Sequence, residues 1–158
     1  MRVSSNPSPD VAERIAELAQ QAGVTVACAE SLTGGQIATA LAAAPDSSAW
    51  FRGGIVAYAS EVKHDLLEVP PGPVVCEESA RTMAATTAKL LGADVVVAVT
   101  GVGGPDPQDD QPPGTVWFAL RSGDGVESCC LDFDGDPPEI VERTTAESLR
   151  RLHEHLRP

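Results

Sequence analysis

Apolar residues in this chain recur first at helical and then at strand-like intervals, and the alternation repeats along its length. Val11, Ile15, Leu18 and Ala22 share one helical face, Asp10 stands at capping-box spacing before Glu13, and Gly23 closes the segment, which predicts a helix over 10–22. "VTVACAE" (24–30) is short, apolar and β-branched and reads as a buried strand. A helix over 35–43 ends before Pro45, and "GGIVAYA" (53–59) is the next strand. "SEVKHDLL" (60–67) reads as a short helix capped by Ser60 and broken by "PPGP". An alanine-rich helix over 79–91 stops at Gly92 before "ADVVVAVT" (93–100), the most strand-like run of all. "TVWFALRS" and "VESCCLDF" flank Gly123-Asp124-Gly125, a hairpin signal that makes them antiparallel. The last helix (136–156) has Asp136 as cap, prolines at its first positions, Glu139 at the box position, and Ile140, Leu149, Leu152 and Leu156 as its stripe.

Strands separated by helices call for a mainly parallel sheet covered on both faces, and the terminal hairpin makes it mixed. The expected fold class is α/β. Residues 1–9, rich in Ser, Asn and Pro, read as a flexible tail, and 10–158 as a single domain. Ligands of open α/β sheets collect beyond the carboxyl ends of strands, which singles out the loops at 30–35 and 100–105.

Composition narrows the function. The 158 residues are 42% hydrophobic but only 4% aromatic, so Ala, Val, Ile and Leu must build the core. A formal charge of −12 without a Lys/Arg cluster argues against nucleic acid or an anionic membrane surface as partner. With neither a leader-like start nor a run of about 18 apolar residues, the expected location is the cytoplasm. Cys28, Cys76, Cys129 and Cys130 have no zinc spacing, so no metal is expected. Cys28 and the adjacent pair lie in strand-like runs and read as small buried hydrophobes.

Both loops combine hydroxyls with glycines, "ESLTGG" and "TGVGGP". Glycines admit a ligand to the backbone, and free N–H groups at a helix start hold phosphate or an oxyanion. Neither loop fits a phosphate fingerprint, and taken alone Ser31 or Thr33 reads more readily as a plain helix cap. A nucleophilic serine needs a base. His153 and His155 lie on a charged helix face, and nothing supports His64. Lys63 is the better candidate: under a Ser60 cap it takes the third helical position, where the macrodipole disfavours its charge, the more so if it is partly buried, and a neutral lysine accepts a serine proton. Tyr58, just before, is close enough in sequence to orient or relay a proton. The plain alternative is a surface lysine and a core-edge tyrosine.

Together, "AESLTGG", "SSAWFRGGIVAYASEVKHDLL", "TGVGGP" and "PPGTVWFAL", in this order, resemble the CinA C-terminal domain family over roughly residues 10–155. The chain is similar to its standalone members, which include nicotinamide-nucleotide amidohydrolases. The resemblance implies a three-layer α/β/α domain with a five-stranded, mostly parallel mixed sheet, in a homo-oligomer of two or more copies. The implied reaction is hydrolysis of the carboxamide of nicotinamide mononucleotide to nicotinate mononucleotide and ammonia, with no cofactor and a small nucleotide as the only partner besides itself. Ser31 matches the nucleophile and Lys63 the base, with Tyr58 beside it. Thr33, Gly34 and Gly35 would form the oxyanion and capping backbone. Thr100, Gly101, Gly103 and Gly104 would form a phosphate nest, and Ser48 and Arg143 would add substrate contacts.

The chain departs from the family pattern at four places. Leu32 stands where Cys is common, Cys76 where a serine begins a helix, "DPQDDQPP" where glycines and a lysine follow the second loop, and Pro137 where an arginine is frequent. Asp106, Asp109 and Asp110 read as a solvated loop, with cation binding left open. The acidic loop lies beside the presumed phosphate site and keeps a second reading open, a catalytically silent nucleotide-binding or interaction module of the same fold.

Overall fold

The computed structural model describes residues 9–123 and 125–158. Five strands, β1 (Val26–Glu30), β2 (Phe51–Val56), β3 (Val95–Gly101), β4 (Thr115–Ser122) and β5 (Gly125–Asp132), form one sheet in the order β2-β1-β3-β4-β5. β1 pairs parallel with β2 and β3, whereas β4 is antiparallel to both neighbours, so it alone reverses the common strand direction. The hairpin is as expected, with Ser122 opposite Gly125; Asp124 lies outside the described residues, as do residues 1–8 of the expected tail.

Among the described residues six helices accompany the sheet: α1 (Pro9–Ala22), α2 (Gln36–Ala42), α3 (Ser47–Trp50), α4 (Ser60–Asp65), α5 (Glu77–Leu91) and α6 (Pro137–Leu156). Side-chain alternation splits the core into two layers. Val26 and Cys28 of β1 and Val95, Val97 and Val99 of β3 face α1, α2 and α6. Ala27, Ala29, Val96 and Ala98 face α5 and the 67–75 segment. The continuous apolar runs of β1 and β3 follow from this burial on both faces. The chain leaves β1 toward β2 and returns across it to β3, so the strand order reverses beside β1, and the crevice expected at such a point opens beyond the ends of β1 and β3.

Some local expectations shift. The buried stripe of α1 is Ala12, Ile15, Ala16 and Ala19; Val11 and Leu18 are half-buried and Ala22 is exposed. This small-residue face lets α1 lie close against its neighbours, while the Asp10 side chain lies outside the described residues. α3 had no periodic signal in its four residues. Asp136 caps α6 as expected, accepting the Glu139 amide at 3.0 Å. Cys28 is buried, but Cys129 is half-buried and Cys130 exposed, because β5 is the edge strand.

Candidate active site

The 31–35 turn is organised by a residue that sequence reasoning passed over. Glu30 ends β1, and its fully buried carboxylate accepts the amides of Ile37 at 2.9 Å and Ala38 at 3.0 Å. These are two of the orphan donors at the start of α2, so Glu30 caps the helix across a seven-residue separation. The formal N-cap, Gly35, sits at φ 105°, a conformation that glycine adopts at no steric penalty, and offers no side chain. Neither Ser31 nor Thr33 caps α2, which corrects the cap reading. Ser31, 5% exposed, keeps a hydroxyl with no hydrogen-bond partner among the described residues.

Lys63 reaches the same place from α4. It is 2% exposed, with Nζ donating to the Tyr58 carbonyl at 3.3 Å. Burial pushes its pKa below the ordinary lysine value, and the nearby Asp109 carboxylate opposes that shift. Of the two expected causes, burial holds and the helix-start position does not. Ala59, not Ser60, is the N-cap and makes no side-chain cap bond, and Lys63 lies in the last turn of a six-residue helix. The macrodipole therefore does not account for the shift; desolvation does. Tyr58 is 70% exposed at the rim, and it meets Lys63 through its carbonyl.

Ser31, Tyr58 and Lys63 line one cleft of 1140 Å³, together with Thr100, Gly101, Gly103 and Gly104 from the end of β3. Gly101 is required by close approach: a Cβ there would lie 2.7 Å from the Thr115 carbonyl oxygen. Thr100 donates its hydroxyl to the Val74 carbonyl at 2.7 Å, so it secures the cleft wall instead of offering that proton to a ligand. Other expected residues are not brought in. Thr33, Gly34 and Gly35 do not line the cleft, and the Gly34 amide already donates to the Ser31 carbonyl at 3.1 Å. Ser48 is exposed on α3, away from the lining. Arg143 is exposed, because α6 presents Pro138, Val141, Glu142 and Thr145 to the cleft, the face on which position 143 does not fall.

Asp109 is more than a solvated loop residue. One carboxylate oxygen accepts the amides of Val74 at 2.8 Å and Val75 at 3.0 Å, fastening the acidic loop to the cleft wall near Lys63. No cluster of three or more metal-ligating side chains is found among the described residues. Nor is any helix there long and apolar enough to cross a membrane. Glu30, Asp109 and the α6 face were missed because each acts over long range. The i, i+3, i+4 pattern of Pro138, Val141, Glu142 and Thr145 was the only local hint.

The CinA C-terminal domain model matches residues 8–156. The chain is 44% identical over 125 residues to a CinA-like protein of Frankia casuarinae, covering 76% of this chain and 29% of that one. It is 37% identical over 152 residues to a putative competence-damage inducible protein of Halothermothrix orenii, covering 92% and 37%. The chain thus spans about a third of the length of these curated relatives. Among solved structures, the competence damage-inducible protein A of Klebsiella pneumoniae superposes with a TM-score of 0.91 at 32% identity, covering 96% of this chain and 98% of that one. The protein CihA of Agrobacterium tumefaciens gives 0.86 at 31% identity, covering 99% of both.

Proposed function

This chain belongs to the CinA C-terminal domain family, and on that premise we propose that it is a serine amidohydrolase that cleaves the carboxamide of nicotinamide mononucleotide. The observation that carries the reading is the convergence in one cleft of an unpartnered, nearly buried Ser31 and a buried Lys63 whose surroundings favour its neutral form. Lys63 Nζ takes the Ser31 proton as Oγ bonds to the amide carbon. The amides of Leu32, Thr33 and Gly35 make no hydrogen bond among the described residues, and Leu32, which lines the cleft beside the nucleophile, supplies the first donor to the oxyanion. The carbon–nitrogen bond then breaks, and Lys63 returns the proton to departing ammonia. Water attacks the acyl ester, giving its proton through Lys63 back to Ser31, and nicotinate mononucleotide leaves.

Purified protein incubated with nicotinamide mononucleotide should release ammonia, with loss of about 10³-fold or more in kcat for Ser31→Ala and Lys63→Ala, as expected when a nucleophile and base act as a unit. Undiminished release from Ser31→Ala refutes the mechanism. The reading of a silent binding module draws on one observation, the carboxylates of Glu13, Asp106 and Glu142 in the cleft lining, and predicts binding without Ser31-dependent ammonia.

A further inference from the structure

The loop between β3 and β4 forms one wall of the cleft and is held at its base and at its tip. At the base the Val102 amide donates to the Thr115 carbonyl at 2.9 Å and the Gly114 amide to the Val102 carbonyl at 2.8 Å. At the tip Gln108 and Gln111 exchange backbone hydrogen bonds of 3.1 and 2.8 Å, which sets Asp109 and Asp110 in a two-residue turn at φ 51° and 60°. From that turn Asp109 reaches across to accept the Val74 and Val75 amides. No other hydrogen bond among the described residues joins 103–111 to the rest of the chain.

The surface that receives Asp109 is itself fixed. Val74 and Val75 are buried, and the Val74 carbonyl accepts the Thr100 hydroxyl at 2.7 Å, at the end of β3. Their amides have no other partner among the described residues, so one carboxylate carries the hydrogen-bonded link between the sheet and the loop tip. What that link holds in place is functional surface. Residues 103–108 all line the cleft that contains Ser31 and Lys63, and Pro105 and Pro107 stiffen the stretch by fixing φ at two of its positions. The amides of Gly103 and Gly104 make no hydrogen bond among the described residues, which leaves this wall donors to offer a bound molecule.

We infer that Asp109 is a positioning residue of the reaction proposed above: its carboxylate latches the loop tip to the 74–75 segment and so holds the 103–108 wall against the substrate. The inference rests on the amidohydrolase reading for the identity of the substrate; the latch stands on the geometry. The same carboxylate has a second effect, through its charge. Tyr58 precedes α4, Glu61, His64 and Asp65 share that helix with Lys63, and Glu13, Asp106 and Glu142 line the same cleft, but Asp109 is the carboxylate whose charge acts on Lys63. Position and charge separate on substitution. One oxygen, Oδ2, accepts both amides, so asparagine, with one carbonyl oxygen, keeps the latch and loses the charge, whereas alanine loses both.

The test compares Asp109→Asn and Asp109→Ala with the unaltered chain in three measurements: ammonia release from nicotinamide mononucleotide, calorimetric binding of that compound in the Ser31→Ala background, and hydrogen exchange at the Val74 and Val75 amides. Asp109→Ala should weaken binding and raise KM by on the order of tenfold while kcat above the ascending limb changes less than about twofold, as loss of binding common to ground and transition states requires. Val74 and Val75 should exchange at least about tenfold faster in it, their partner being gone. Asp109→Asn should keep KM, binding and exchange within about twofold of the unaltered chain, yet share with Asp109→Ala a shift of the ascending kcat/KM limb to lower pH, which a purely structural role would not produce. Unchanged binding or unchanged exchange in Asp109→Ala overturns the inference. Should Asp109→Ala not fold, Asp109→Asn decides alone: a tenfold rise in its KM, or in its exchange at Val74 and Val75, overturns the inference. The expected order of binding and exchange without Ser31-dependent ammonia overturns the amidohydrolase reading and leaves the latch standing.

Discussion

Replacing Glu30 by glutamine removes a negative charge from the buried start of α2 while keeping nearly the same volume. In the native protein two amides, of Ile37 and Ala38, converge on the two carboxylate oxygens at 2.9 and 3.0 Å. The carboxamide has one acceptor oxygen, so one amide keeps a partner and the other faces an NH₂ group. Hydrogen bonds to charged groups contribute about 1.5–3 kcal/mol, and a buried donor left unpaired costs about 1–3 kcal/mol. These figures describe the same loss from two directions and are not summed, so Glu30→Gln should destabilise the protein by about 2–3 kcal/mol. For a chain of this size that lowers Tm by roughly 4–12 °C. Urea unfolding is the assay, and the denaturant slope should stay unchanged, because the surface exposed on unfolding hardly differs. Ser31→Ala is the matched control. A serine N-cap would lose about 1 kcal/mol on truncation. A nucleophile that caps nothing should lose less than about 0.5 kcal/mol, provided its site is free of buried partners. A loss below about 0.5 kcal/mol for Glu30→Gln, or a larger loss for Ser31→Ala than for Glu30→Gln, would refute the assignment of the cap to Glu30.

Lys63 gives a pH signature. Because its folded pKa lies below the ordinary lysine value, the unfolded chain binds more protons between the two, so stability rises with pH there; the penalty of burying the charge is full below the folded pKa and disappears above the unfolded one. Wild type should therefore gain stability relative to Lys63→Met as pH is raised toward that of free lysine, and a flat difference refutes the claim. Asp109 opposes the depression of Lys63, so Asp109→Asn should move the ascending limb of the kcat/KM profile, below which Lys63 is protonated and cannot take the serine proton, to lower pH; a shift upward contradicts the proposed electrostatics. Gly101→Ala forces a methyl group against the Thr115 carbonyl oxygen and Val116 Cγ2, 2.8 Å away, and should cost about 1–3 kcal/mol in chemical denaturation. Arg143→Ala should change KM less than about twofold, since the side chain is exposed and does not line the cleft, and truncations outside such features are usually near neutral.

What was legible in the sequence, and what was not, divides by the range over which each residue acts. The strands were legible because burial on both faces of the sheet writes itself as an uninterrupted apolar run, as in Val95–Val99. The α6 cap was legible because Asp136 and Glu139 are three residues apart. The α2 cap obeys the same chemistry but was hidden, because the acceptor sits at the end of a strand and the intervening turn needs Gly34 and Gly35 at positive φ before the amides return to it. A local rule therefore assigned the capping task to Ser31, the residue whose freedom from that task leaves it available to react. Lys63 shows the converse error. The direction of its pKa shift was anticipated mainly from a Ser60 cap that is not formed, while burial, named only as a condition, is the operative cause and has no local pattern that shows its extent. The charge of the cleft is the same kind of quantity. Glu13, Asp106 and Glu142 are dispersed over most of the chain and only the fold brings them into one cleft with Ser31, so family motifs could point to the proposed Ser31–Lys63 pair without revealing what else lines its cleft.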